Sequence, residues 1–121
     1  MTILPRVLLV EDSPSFRSLV ASQLERLGAT VAVAGDVTTA IELLERGDFD
    51  LVVTDFQLPA GTGLDLLAFA RRRFPHLPVV LMSALVDREL RREAALADGV
   101  YDKQVLLGVL PSLVTGAPVA A

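Results

Sequence analysis

The chain has 121 residues, a net charge of about −4, no cysteine, 52% apolar residues and a mean hydropathy of +0.53. That length suits one domain with one sizeable core, and the acidic balance argues against non-specific nucleic-acid binding and against an anionic membrane surface. No thiol chemistry, signal peptide or membrane span is legible, so the expectation is a cytoplasmic single domain over 1–121, with a core at about 5–114 and a flexible tail at 115–121.

Arg6 to Val10 (RVLLV) is apolar without alternation and too short for a helix, the pattern of a central parallel strand covered on both faces. It ends in Glu11-Asp12. Ser13-Pro14 then starts a helix with a hydroxyl cap and a proline where its missing N–H does no harm. Phe16, Leu19, Val20, Leu24 and Leu27 follow at helical spacing, and Gly28 terminates the helix. Thr30 to Val33 is a weaker strand, suited to a sheet edge. Asp36 or Thr38 caps the second helix, whose buried face is Val37, Ala40, Ile41 and Leu44, and Gly47 closes it.

Leu51 to Thr54 is a third strand delivering Asp55, and a turn-rich segment with Pro59, Gly61 and Gly63 leads into a helix over about Leu64 to Phe74. Leu64, Leu67 and Ala68 mark its inner face. Arg71-Arg72-Arg73 falls in its last turn, where cations are favoured; that placement accounts for the run better than a polyanion site does. Val79 to Met82 is the fourth strand, ending at Ser83-Ala84. A charge-rich helix is expected over about Asp87 to Ala97, then a short strand at Val100-Tyr101, Lys103, and a helix from Val105 to Val114 interrupted by Gly108 and Pro111.

Five strands alternating with five helices give an α/β fold, a doubly wound parallel sheet with right-handed crossovers. The flavodoxin-like order 2-1-3-4-5 suits the pattern, since strands one and three are the most apolar. In that order their carboxyl ends flank the ligand crevice. Glu11 and Asp12, Asp55, Ser83 and Lys103 then meet at one edge. Three converging carboxylates repel unless a cation sits among them. Mg²⁺ fits two carboxylates, a backbone carbonyl (Gln57, just after Asp55) and retained waters, whereas zinc would want histidine or cysteine ligands. Lys103 is the chain's one lysine, a compact ammonium able to pair with Asp55. The hydroxyl of Ser83 can donate to the same point.

These residues resemble the response-regulator receiver domains of two-component signalling over essentially the whole length. The EDSP start and the TDFQLPAGTGLDLL block carry the resemblance, with Ser83-Ala84 and Lys103. It implies that Glu11 and Asp12 hold Mg²⁺ and that Asp55 accepts a phosphoryl group from a sensor histidine kinase or histidine phosphotransfer protein. It also implies that Ser83 is the switch hydroxyl and Lys103 the phosphoryl contact. Phosphorylation would switch contacts with a downstream target or a second copy; slow autodephosphorylation is expected, but no turnover of a separate substrate.

Two departures stand out. Gln104 follows the lysine where the family has proline, and Val100 stands three residues before it where the family has an aromatic. Tyr101 comes one residue later, on the opposite side of a strand, and the segment from Gly99 to Lys103 is shorter than usual. The phosphorylation residues are complete, and an atypical readout is expected. The alternative is a receiver-like interaction module that acts without phosphate.

Overall fold

The unalternating apolar runs lie side by side as the middle of a parallel sheet in the computed structural model, which describes residues 5–115. The strands are β1 (Arg6–Val10), β2 (Thr30–Ala34), β3 (Leu51–Asp55), β4 (Val79–Ser83) and β5 (Gly99–Asp102), ordered β2-β1-β3-β4-β5 with every pairing parallel. The expected flavodoxin-like order is the observed one. Helices α1 (Pro14–Arg26), α2 (Val37–Arg46), α3 (Gly63–Arg73), α4 (Arg88–Glu93) and α5 (Lys103–Thr115) complete it.

The continuous patterning follows from burial on both sheet faces. Strand alternation sends Leu8, Val10, Val52 and Leu81 to one side, where they pack with Ala40, Leu44, Leu66 and Ala70 of α2 and α3. Val7, Leu9, Val53, Val80 and Met82 face the other way, onto Val20 and Leu24 of α1 and Leu106 and Leu110 of α5. Burying one such side chain contributes roughly 1.5–3 kcal/mol, so both faces anchor the strands that carry the site.

Several local expectations change. Leu19 of α1 is exposed, and α1 buries Val20 and Leu24 instead. In α3 the buried residues are Gly63, Leu66, Leu67 and Ala70, while Ala68 faces solvent. Helix α4 stops at Glu93, short of Ala97. The physical reason is Asp98, whose Oδ2 accepts from Val79 N at 2.8 Å and from Arg71 Nη2 at 2.6 Å, drawing the chain out of the helical path toward β5. Helix α5 begins at Lys103, two residues early, and runs through Gly108 and Pro111 to Thr115. Thr115 is therefore helical, and the remainder of the expected tail, 116–121, lies outside the described residues.

Other local signals hold. Gly28 has φ 93°, the left-handed geometry expected after a helix end. Asp36, rather than Thr38, caps α2 by accepting from Thr39 N at 2.7 Å. Arg71 spends its guanidinium on the carbonyls of Leu77 and Leu96 and on Asp98, a brace between α3 and the turn before β5. No described helix is long and apolar enough to cross a membrane.

Candidate functional site at the carboxyl edge

The site is built where β1 and β3 end side by side. Val10 pairs with Thr54 in register, so the residues just beyond, Glu11 and Asp55, emerge together. Glu11 N donates to Ala34 O at 2.9 Å, carrying the sheet pattern one residue past β1 and fixing the carboxylate's root. Glu11 is fully buried and Asp55 is 6% exposed, while the carboxylate of Asp12 is open to solvent. Ligand oxygens of Glu11, Asp12 and Asp55 all lie within 4.8 Å of one another.

The segment after Asp55 turns sharply. Phe56 N donates to Met82 O at 2.8 Å, and Gln57-Leu58 pairs with Gly61-Thr62 in a small antiparallel hairpin whose tip is Ala60 at φ 58°. Thr62 and Asp65 then form a reciprocal capping box at the start of α3. Gly63 closes the turn by donating from N to Phe56 O at 2.7 Å. A Cβ at Gly63 would collide with the Asp55 carbonyl oxygen and lie 2.6 Å from Leu81 Cδ2. Only glycine lets α3 begin this close to the aspartate.

Lys103, first residue of α5, reaches back into the acidic cluster. Its Nζ lies 2.6 Å from Glu11 Oε1 and 2.8 Å from Asp55 Oδ2, and 4.8 Å from the centroid of the Phe16 ring. Burial works against the ammonium's charge, but the hydrogen bonds and charges of Asp55 and Glu11 outweigh it and hold the lysine above its ordinary range. The other oxygens are also engaged. Ser13 N donates to Glu11 Oε2 at 3.1 Å, and Gln57 N donates to Asp55 Oδ1 at 3.3 Å. Asp12 is the carboxylate among the three for which no protein donor appears among the described contacts.

Ser83 ends β4 at the rim of a cavity of about 440 Å³ that Asp55, Gln57, Leu85 and Lys103 also line. Its Oγ makes its hydrogen bonds to Leu85 and not to Asp55. It donates to Leu85 O at 3.0 Å and accepts from Leu85 N at 3.3 Å. The structure thus brings Glu11, Asp12, Asp55 and Lys103 into one cluster and places Ser83 beside it. Gln57 contributes a backbone N–H and an exposed side chain.

Three neighbours escape a sequence reading. Phe16 reads as a core residue of α1, yet its ring sits against the lysine ammonium. Arg17 Nη1 donates to Glu11 O at 3.1 Å. Asp102 accepts from Val86 N at 3.0 Å, a contact across 16 residues with no local pattern to announce it. Val100 packs on the α2/α3 side of the sheet and Tyr101 on the α1/α5 side, as strand alternation requires. The peptide between Lys103 and Gln104 is trans.

The response regulator receiver domain model matches residues 7–105. The chemotaxis protein CheY of Pseudomonas aeruginosa is 41% identical over 95 residues, covering 76% of this chain and 77% of that protein. The response regulator protein PilR of the same organism is 38% identical over 115 residues, which are 93% of this chain but 26% of PilR. The chain therefore spans about three quarters of one relative and about a quarter of the other. Among solved structures, chemotaxis response regulator CheY4 of Vibrio cholerae superposes with a TM-score of 0.80 at 26% identity, over 89% of this chain and 97% of that one. The response regulator TrrA of Thermotoga maritima, solved in complex with Mg(2+)-BeF, shares the fold at a TM-score of 0.86 and 23% identity, over 95% and 100%. An acid cluster bridged by a lysine at the carboxyl edge of a 2-1-3-4-5 sheet, matched along this much of its length, places the chain in the response regulator receiver domain family.

Proposed function

We propose that Asp55 accepts a phosphoryl group, with Mg²⁺ bound, from the phosphohistidine of a sensor kinase or phosphotransfer protein, and that the acyl phosphate switches protein–protein contacts. The observation that carries this reading is the cluster itself: carboxylate oxygens of Glu11, Asp12 and Asp55 within 4.8 Å, with the Lys103 ammonium on two of them. The donor set fits a hard divalent cation, being all oxygen, with no cysteine in the chain. Glu11, Asp12 and Asp55, with the Gln57 carbonyl, are the residues suited to hold it. Glu11 and Asp55 both have oxygens engaged, by Lys103 with Ser13 N–H and by Lys103 with Gln57 N–H, so the open carboxylate of Asp12 is the least hindered ligand. When bound, Mg²⁺ supplies electrostatic stabilisation of the charge on the transferring oxygens.

The chain's own residues do the rest. An Asp55 carboxylate oxygen attacks phosphorus, the P–N bond breaks, and the departing imidazole keeps the electron pair. Lys103 stays protonated through the neutral range and offsets charge on the phosphoryl oxygens as its contact with Asp55 loosens. Ser83 Oγ, turned from Leu85, donates to one of those oxygens and shifts the balance between inactive and active states. This reading treats 1–121 as one receiver unit acting in the cytoplasm.

Incubation with acetyl phosphate and Mg²⁺ should add one phosphoryl group at Asp55, read by mass spectrometry. Asp55→Asn or chelation of the metal should abolish it; a gain that survives Asp55→Asn would overturn the assignment. The displaced Tyr101 favours one competing reading, a module that binds its partner without phosphate. Equal partner affinity for the wild type and Asp55→Asn, with and without phosphodonor, would decide for that alternative.

A further inference from the structure

The segment Ala84 to Asp87 carries the connection from the site to α4, and two side chains hold it. Ser83 Oγ makes both of its hydrogen bonds to the backbone of Leu85. Asp102 Oδ1 accepts from Val86 N at 3.0 Å. The two holders face each other in the sheet, because Ser83 and Asp102 are register partners in the β4–β5 pairing. Asp102 also immediately precedes Lys103, so one backbone turn fixes both the lysine at Asp55 and the carboxylate at Val86. Leu85, between the two holders, is 71% exposed and lines the cavity over Asp55.

We propose that Asp102 is a positioning residue for this switch segment. It pins Val86, so that the exchange of Ser83 Oγ from Leu85 to a phosphoryl oxygen moves Leu85 about a fixed pivot. This rests on the phosphoacceptor reading above. Ser83 Oγ cannot keep its present donation to Leu85 O while donating its single proton elsewhere. The exchange frees Leu85 O, and the turn of Oγ toward the phosphoryl group also carries its lone pairs away from Leu85 N, whereas nothing in the exchange removes the acceptor of Val86. A carboxylate accepting an amide N–H is a strong, charge-assisted hydrogen bond, enough to keep the next residue in place. The result is a displaced exposed leucine beside the site, a surface change a partner can read without a rotating aromatic on β5.

The test is amide hydrogen exchange at single-residue resolution on the full chain, with the variants Asp102→Ala and Asp102→Asn. In the unloaded protein, Asp102→Ala should speed exchange at Val86 by about tenfold or more, the loss expected for a hydrogen bond to a charged group. Asp102→Asn, which keeps an acceptor oxygen, should restore most of the protection. Protection at Val53 and Leu81 should be unchanged in both variants, which separates loss of the pin from loss of the fold. On loading the wild type with Mg²⁺ and beryllofluoride, Leu85 should lose protection while Val86 keeps it. Unchanged Val86 exchange in Asp102→Ala overturns the proposal, as does loss of Val86 protection in the loaded wild type. If the wild type does not load, the phosphoacceptor reading fails, and the unloaded comparison still decides whether Asp102 holds the segment.

Discussion

Replacing Lys103 by methionine keeps most of the side chain's volume and removes its charge from between two carboxylates. Glu11, fully buried, and Asp55, nearly so, then face each other with oxygens within 4.8 Å. At an effective dielectric constant of about 20, two unit charges at that separation repel by about 3 kcal/mol. Breaking a buried pair typically costs about 3–5 kcal/mol. The lysine side chain is 24% exposed, so water relieves part of this, and a loss of about 2–4 kcal/mol at pH 7 is expected. The informative measurement is a double-mutant cycle by urea unfolding. In the wild type, Asp55→Asn removes an attraction to Lys103 at 2.8 Å, about 6 kcal/mol at that dielectric constant, along with the weaker repulsion from Glu11, so it should destabilise by about 2 kcal/mol. In the Lys103→Met background only the repulsion remains to be removed, and the same substitution should stabilise by about 3 kcal/mol. Equal effects of Asp55→Asn in the two backgrounds would refute the picture of a lysine holding two mutually repelling acids together.

Further outcomes follow from the same contacts. Lys103 is raised in the folded state, so its contribution to stability is complete below the ordinary value of 10.5 and is lost as pH rises through the folded value above it. The wild type should therefore lose stability above about pH 10.5 relative to Lys103→Met, a difference read by paired melts that cancels the titration of Tyr101. Gly63→Ala forces a Cβ onto the Asp55 carbonyl, and should cost about 1–3 kcal/mol in thermal unfolding and slow phosphorylation. Arg71→Ala releases three hydrogen bonds from a largely buried guanidinium, with an expected loss of about 1–3 kcal/mol, whereas Arg72→Ala should stay within about 0.5 kcal/mol.

Much of the fold was legible because its signals are local. Continuous apolar runs at Arg6–Val10, Leu51–Asp55 and Val79–Ser83 can be satisfied only by cover on both faces, and glycine, proline and aspartate marked the helix ends from their own backbone chemistry. Where competing contacts were remote, the reading strayed. The end of α4 is set by Asp98 meeting Arg71 and Val79 from other elements, and no periodicity inside α4 contains that information. On α3, Leu64 and Leu67 pack inward as expected while Ala68 does not, for a related reason. Gly63 fixes where the helix starts and how closely it lies against β3, and so which residues turn inward.

The site divides along the same line. The residue types at the strand ends, and the order that brings those ends together, are properties of the sequence: acids after β1 and β3, a hydroxyl after β4, the one lysine after β5. Only the folded chain decided how they are connected. It gave Lys103 to both Glu11 and Asp55, left Asp12 open, tied Ser83 to Leu85, and set Asp102 on Val86. Such partnerships depend on distances of a few ångströms between residues up to 92 positions apart, which packing determines and spacing along the chain does not.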